Sequence, residues 1–312
     1  MRTVLVTSHL REITKKEFEE LEGFTFLFKP FSETTDDERQ KIDTIVGHCT
    51  KEMVEQLPNL DYVQLNSAGA NTFSWLPKNI TLANAYGAYA KGISEYLIAC
   101  TMMIQKDLPR YLFQQKEHLW KRVMNVKVLE NAKVLCVGMG SIGTAYLEKA
   151  HALGAKCYGV KRTLTKKPDF VEAVYTTDSL DQLLPDMDVV VLCLPETSET
   201  IHLFDLKRLR KMKEDAILIN IGRGSAIVTE DLMQVLEEGH LLGAVLDVTE
   251  PEPLPQNHPL WNSPRVYITP HISGGYESDA NYDSVVAVIK ENLLRLRDGE
   301  DPIHIVDRKL GY

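Results

Sequence analysis

The sequence predicts an α/β fold of two doubly wound parallel-sheet domains, and three observations carry that prediction. The 312 residues exceed what one typical hydrophobic core organises, so two domains are expected. Short apolar runs alternate with helical or polar connectors along nearly the whole chain, the rhythm of a parallel sheet built from strand–helix–strand units. One apolar run, Val134-Leu135-Cys136-Val137, leads directly into Gly138-Met139-Gly140-Ser141-Ile142-Gly143 and a stretch with helical spacing, which reads as a strand, a tight glycine turn and a helix.

In chain order, the runs 3–7, 24–28, 44–46, 62–65 and 81–83 read as strands, joined by helical or polar connectors such as 15–21 and 50–57. The opening run is too short for a signal peptide and reads as the first strand. From Ser94 a long helical pattern follows, with apolar Leu97, Ile98, Met102 and Ile104; it is broken near Pro109 and continues towards Trp120, the passage into a second domain. There the strands are richer: 134–137, 156–160, 189–194, 216–221, 243–248 and 266–269, nearly continuous apolar runs of the kind buried on both faces. The proline-rich stretch 251–264 reads as an ordered loop. The tail 276–297 is helical again, with Val285, Val286, Val288, Ile289, Leu293 and Leu294 on a broad apolar face, and is long enough to return to the first domain. The expected division is therefore discontinuous: 1–101 with 284–312, and 102–283.

Composition narrows the function. Hydrophobic residues make up 44% and charged residues 25%, ordinary for a soluble globular protein, and no stretch is long and apolar enough to span a bilayer. A net charge of −9, from 44 acidic and 35 basic residues, leaves no broad cationic face for nucleic acid, so any anion must be met locally. The five cysteines are scattered, and three lie inside apolar runs where a small buried thiol is expected; His48-Cys49 lacks further ligands at suitable spacing. Neither disulfide nor metal is expected, and the chain reads as cytosolic.

The glycine turn and four further segments at predicted strand ends carry chemistry. Gly138 allows the sharp turn, Gly140 lets the backbone approach a pyrophosphate, and Gly143 lets the helix that begins with Ser141 and Ile142 pack on the strand while its free N–H groups face the anion; this is the arrangement of a dinucleotide site and of hydride transfer. A little over twenty residues on, where an NAD site carries an acid for the ribose hydroxyls, stand Lys161 and Arg162. Bases there pair with the 2′-phosphate of NADP; with Lys166 and Lys167 following, a solvated basic loop is the other reading. Arg223, flanked by Gly222 and Gly224, offers a fixed fork of donors to a carboxylate or to charge developing on a carbonyl oxygen, although by itself it reads equally as a surface arginine. The loops holding Asp247, Glu250 and Glu252, and Thr269-Pro270-His271, together fit a dyad, since a carboxylate beside an imidazole fixes its tautomer and favours the cationic acid.

Taken in this order, the segments resemble those of the D-isomer-specific 2-hydroxyacid dehydrogenases over nearly the whole chain. The resemblance implies two Rossmann-like domains with the active site in the cleft between them, 102–283 binding the dinucleotide and 1–101 with 284–312 binding the substrate. It makes Arg223 the residue that orients the substrate's carboxylate and keto oxygen, His271 the proton donor or acceptor, and Glu252 its carboxylate partner; Glu250 is the weaker candidate because Glu252 directly precedes Pro253-Leu254. It places Asp247 near the nicotinamide carboxamide, Leu194 and Pro195 along the cofactor, and the backbone N–H groups of Ser67, Ala68, Gly69 and Ala70 on the substrate's carboxylate. Lys161 departs from the family's usual acid and points to the NADPH-using subset, with NADP(H) preferred and NAD(H) left open. The expected function is NADPH-dependent reduction of a small 2-keto acid to a D-2-hydroxy acid. The alternatives are a reductase specialised for glyoxylate or hydroxypyruvate, and a nucleotide-sensing co-repressor of the same fold. The resemblance also implies a homodimer, with 108–128 as the contact.

Overall fold

Alternating apolar and amphipathic segments become two stacks of parallel strands and covering helices because the central strands, buried on both faces, need a helix on either side. The structure, a computed structural model, describes residues 1–122, 126–164, 166–276 and 278–308. The chain divides into two units, Met1–Tyr89 with Tyr276–Tyr312, and Ala90–Gly275. Residues 123–125 of the expected contact stretch, 277 of the expected tail helix and 309–312 lie outside the described residues.

The first unit runs β1 (Arg2–Val6), α1 (Glu12–Glu19), β2 (Phe24–Leu27), α2 (Asp36–Arg39), β3 (Thr44–Val46), α3 (Lys51–Glu55), β4 (Tyr62–Gln64) and β5 (Thr81–Ala83). Its five strands pair in parallel in the order β2-β1-β3-β4-β5. Threonines start two of the short helices: Thr35 forms a reciprocal capping box with Glu38, and the Thr50 hydroxyl accepts from the Met53 N–H. Leu5, Ile45, Val63 and Leu82, one from each of four strands, close the core.

The second unit opens with α4 (Ala90–Gln105) and α5 (Leu108–Lys116), then alternates β6 (Lys133–Val137), α6 (Ser141–Ala152), β7 (Lys156–Val160), β8 (Ala173–Tyr175), α7 (Leu180–Leu183), β9 (Val189–Leu192), α8 (Leu206–Leu209), β10 (Ile217–Asn220), α9 (Thr229–Glu237), β11 (Gly243–Leu246) and β12 (Val266–Ile268). Seven parallel strands lie in the order β12-β11-β10-β9-β6-β7-β8, with β6, β9, β10 and β11 almost wholly buried. The strand order reverses between β6 and β9, and such a switch point is where open α/β sheets bind ligands. The long helical pattern breaks at Asp107, which adopts a left-handed φ of 51°; Pro109 sits in the first turn of α5, where its missing N–H costs nothing.

The chain ends in the first unit with α10 (Asp279–Asp298). Its buried stripe, Tyr282, Val285, Ile289 and Leu293, is narrower than the apolar face read from sequence, because Val286 and Val288 are only half-buried. Fully buried Asn292 lies on the same stripe and is satisfied: its amide donates to Gln64 Oε1 at 2.7 Å, and its Oδ1 accepts the Ile303 N–H at 2.7 Å.

Candidate active site

In a parallel sheet every strand ends on the same edge, so strand order lays out the site. Along the second unit's sheet this edge carries, strand by strand, Thr269–His271 after β12, Asp247 to Glu252 after β11, Arg223 after β10, Leu194 and Pro195 after β9, the glycine turn after β6, and Lys161 with Arg162 after β7. Three strand spacings, about 14 Å, separate the glycine turn from the Asp247 loop, a span suited to an extended dinucleotide.

The glycine turn has the shape the motif demands. Gly138 has φ +94°, and a Cβ there would lie 2.5 Å from the Cys193 carbonyl oxygen, so only glycine fits. At Gly143 a Cβ would overlap Cys136 Sγ and stand 3.0 Å from the Gly138 carbonyl oxygen, which seats α6 directly on β6. The turn is tied to the neighbouring strand: the N–H groups of Gly138 and Met139 both donate to the Val160 carbonyl at 3.0 Å. Register pairs Val137 with Val160, so Lys161 stands level with Gly138, and Arg162 follows it into solvent. Lys161 N–H donates to the Tyr175 carbonyl at 2.9 Å, fixing where the basic pair leaves the sheet. A small backbone cradle, a helix N-terminus and two basic residues just past the end of the adjacent strand fit a phosphorylated dinucleotide.

Next along the edge, Gly222 packs so closely on Leu194 that a Cβ would lie 2.5 Å from the Leu194 carbonyl oxygen, and the Pro195 carbonyl accepts the Thr200 hydroxyl at 2.7 Å. Half-buried Arg223 leaves this turn with extended backbone, and its Nη1 donates to the Gly222 carbonyl at 2.7 Å. Buried Asn220 holds the turn: its side-chain oxygen accepts the Gly222 N–H at 3.0 Å and its amide donates to the Arg223 carbonyl at 2.8 Å.

His271 and Glu252 meet. The imidazole Nδ1–H donates to Glu252 Oε1 at 2.6 Å, and the two side chains are 49% and 41% exposed, so the pair lies at an accessible face rather than in the core. Glu250 takes no part; it stands 3.7 Å from His202. Asp247 is buried at 1% exposure, and its oxygens accept the Thr269 hydroxyl at 2.6 Å, the Ile272 N–H at 2.9 Å and the Ser273 N–H at 3.0 Å. The carboxylate thus spends hydrogen-bonding capacity on the turn that carries His271, a task the sequence reading did not foresee.

In the first unit, the carbonyls of Ser67, Ala68 and Gly69 accept from the Ala85 N–H, the Asn84 amide and the Ser67 hydroxyl respectively, and the Tyr89 hydroxyl donates to the Asn66 carbonyl. With carbonyls tied back, the N–H groups of Ala68, Gly69 and Ala70 bond to no other described residue.

The five cysteines are free thiols. Burial pushes the Cys49 and Cys157 thiols up to about 12 and that of Cys100 to about 11, leaving them as inert packing groups. Among the described residues no three His, Cys, Asp or Glu side chains are grouped to hold a metal, and no helix is long and apolar enough to cross a membrane.

The fold and this edge define a dinucleotide-linked dehydrogenase, and comparison gives the family. Residues 98–273 match the family described as D-isomer specific 2-hydroxyacid dehydrogenase, NAD binding domain, and the chain belongs to that family. The glyoxylate/hydroxypyruvate reductase A of Serratia proteamaculans is 31% identical over 226 residues, covering 72% of this chain and 69% of its own. A D-isomer specific 2-hydroxyacid dehydrogenase family protein of Aeromonas salmonicida superposes with a TM-score of 0.88 at 30% identity, over 98% of this chain and 99% of its own. An NADPH-dependent glyoxylate/hydroxypyruvate reductase of Sinorhizobium meliloti, solved with NADP and sulfate, shares the fold with a TM-score of 0.85 at 24% identity, over all of both chains.

Proposed function

We propose that this chain reduces a small 2-keto acid, glyoxylate or hydroxypyruvate among them, to the corresponding D-2-hydroxy acid with NADPH. The observation that carries the reading is the 2.6 Å pairing of His271 with Glu252, one strand from Arg223 on the edge that holds the dinucleotide turn. NADPH, when bound, supplies the hydride. The chain's own residues bind, orient and deliver the proton.

Gly138 to Gly143 receive the pyrophosphate, Lys161 and Arg162 the 2′-phosphate, and Leu194, Pro195 and Asp247 line the nicotinamide half. The unit built around β6 to β12 is accordingly the dinucleotide-binding domain, and the unit around β1 to β5 with α10 the substrate domain. The N–H groups of the loop Ser67, Ala68, Gly69 and Ala70 take the substrate's carboxylate. Arg223 orients that carboxylate and polarises the keto oxygen, lowering the cost of the charge that develops there. His271 gives its Nε2 proton to the same oxygen; Glu252 fixes the tautomer and stabilises the imidazolium before transfer. Self-association as a homodimer falls to 108–128, where Leu112, Phe113, Leu119 and Trp120 are exposed, a concentration of apolar surface that a partner would cover. The free thiols suit the reducing cytoplasm, where NADPH is kept reduced.

A keto acid panel, with NADPH and NADH consumption followed in parallel, tests the reading. Turnover of glyoxylate or hydroxypyruvate is expected, with catalytic efficiency higher for NADPH by about tenfold or more, the scale of charge-assisted bonds to one phosphate. Failure of every keto acid to oxidise either cofactor would contradict it.

A further inference from the structure

Behind the His271 turn lies a half-buried hydroxyl chain that no step above uses. The Tyr96 hydroxyl, on α4, stands 2.6 Å from Thr269 Oγ1, and Thr269 Oγ1 donates to Asp247 Oδ1 at 2.6 Å. An ionised carboxylate only accepts, so the threonine spends its single hydrogen on Asp247 and the Tyr96 hydroxyl must be the donor to threonine. From Asp247 the chain fans into the turn: the carboxylate accepts the Ile272 and Ser273 N–H groups, and the Asp247 carbonyl accepts the His271 N–H at 2.9 Å. His271 holds a left-handed φ of 52°, an uncommon conformation for a residue with a Cβ.

The far end of the chain is anchored. Thr101, also on α4, donates to the Leu97 carbonyl at 2.7 Å, so its contact with the hydroxyl of fully buried Tyr146 on α6, at 2.9 Å, has tyrosine as donor. The helix is thereby pinned to the helix that follows the glycine turn, and Tyr96 projects from a fixed base. Burial raises the Tyr96 phenol above its ordinary range, which keeps the hydroxyl a donor at any working pH.

We propose that Tyr96 is a positioning residue for proton transfer: through Thr269 and Asp247 it holds the 269–273 turn, and with it the imidazole of His271 against Glu252. The inference rests on His271 being the proton donor.

The test combines kinetics with a spectroscopic readout that needs no turnover. Tyr96→Phe keeps the ring and removes the donor; it is expected to lower kcat on glyoxylate about fivefold to tenfold, the worth of one intramolecular hydrogen bond, while the Kd for NADPH and the KM for the keto acid stay within about twofold. Thr269→Val cuts the same chain one bond further on and reports in place of the tyrosine variant should that not fold; Thr269→Ser, which keeps the hydroxyl, restores kcat. The double variant Tyr96→Phe/Thr269→Val is expected to be no slower than Thr269→Val alone, because the chain is already cut. In histidine-labelled protein, the low-field imidazole proton of His271, identified by its loss in His271→Asn, is expected to be sharp in the wild type and weakened or displaced in Tyr96→Phe. Wild-type kcat and an unchanged imidazole signal in Tyr96→Phe would overturn the proposal, as would additive losses in the double variant. If the wild type reduces no keto acid, the functional reading fails, and the imidazole signal alone still decides whether Tyr96 orders His271.

Discussion

Gly143→Ala sets two effects of known sign against each other. Alanine in a helix is favoured over glycine by about 1 kcal/mol, which argues for stabilisation. The new methyl would overlap Cys136 Sγ and stand 3.0 Å from the Gly138 carbonyl oxygen, and neither neighbour yields easily: Cys136 is fully buried, and Gly138 has φ +94° with no room beside the Cys193 carbonyl. Overpacking of this kind costs about 1–3 kcal/mol, so the clash offsets the propensity and the net loss reaches up to about 2 kcal/mol. For a unit of this size each kcal/mol lowers Tm by about 2–4 °C. Relief by lifting α6 off β6 displaces the N–H groups that face the pyrophosphate, so NADPH affinity should fall about tenfold or more. Calorimetry gives the Tm, and cofactor fluorescence gives the Kd. Cys136→Ala added to Gly143→Ala removes the sulfur and should recover most of the lost affinity. Wild-type Tm and NADPH affinity in Gly143→Ala would refute the close-packing argument; a double variant no better than the single one would refute the role given to the thiol.

Other perturbations probe separate parts of the account. Lys161→Asp with Arg162→Ser should lower the ratio of catalytic efficiencies, NADPH to NADH, by about tenfold to a hundredfold, and an unchanged ratio would remove the basic pair from cofactor choice. Asp181, on α7, accepts from Lys211 at 2.6 Å and Arg208 at 2.8 Å, and these partners hold its carboxyl down at about 2 against an ordinary 3.8. A depressed native value contributes stability above the unfolded one and loses it as pH falls through the native one. Asp181→Asn should therefore cost about 0.5–1 kcal/mol at neutral pH, the difference closing between about pH 4 and pH 2 in denaturant titrations; a gap independent of pH would contradict the pairing. Replacing Leu112 and Phe113, 61% and 62% exposed, with serine should weaken self-association in sedimentation experiments, and an undisturbed dimer would place the contact elsewhere.

Strands were legible because buried parallel strands are written as unbroken apolar runs, and 44–46, 81–83 and 156–160 coincide with β3, β5 and β7 residue for residue. The runs overshoot at their ends: Cys193, Leu194 and Val248 continue the apolar pattern past the last strand position, half-buried or buried like the strands they follow. The edge strand β8 escaped, since Ala173–Tyr175 is half-buried throughout and too short to show a period. Pro109 was read as the break in a helix where it in fact begins one, and the break lies at the left-handed Asp107. At the site, Arg223, Glu252 and His271 were legible as motif residues placed after strands. Tyr96 was not, because its partner lies 173 residues away and an aromatic on a helix reads simply as packing.

The most direct test of the central claim is the turnover of glyoxylate by His271→Ala saturated with NADPH. Loss of the proton donor predicts a fall in kcat of about 2–4 orders of magnitude with NADPH affinity close to that of the wild type. Turnover within a few-fold of the wild type would show that the imidazole paired with Glu252 does not deliver the proton.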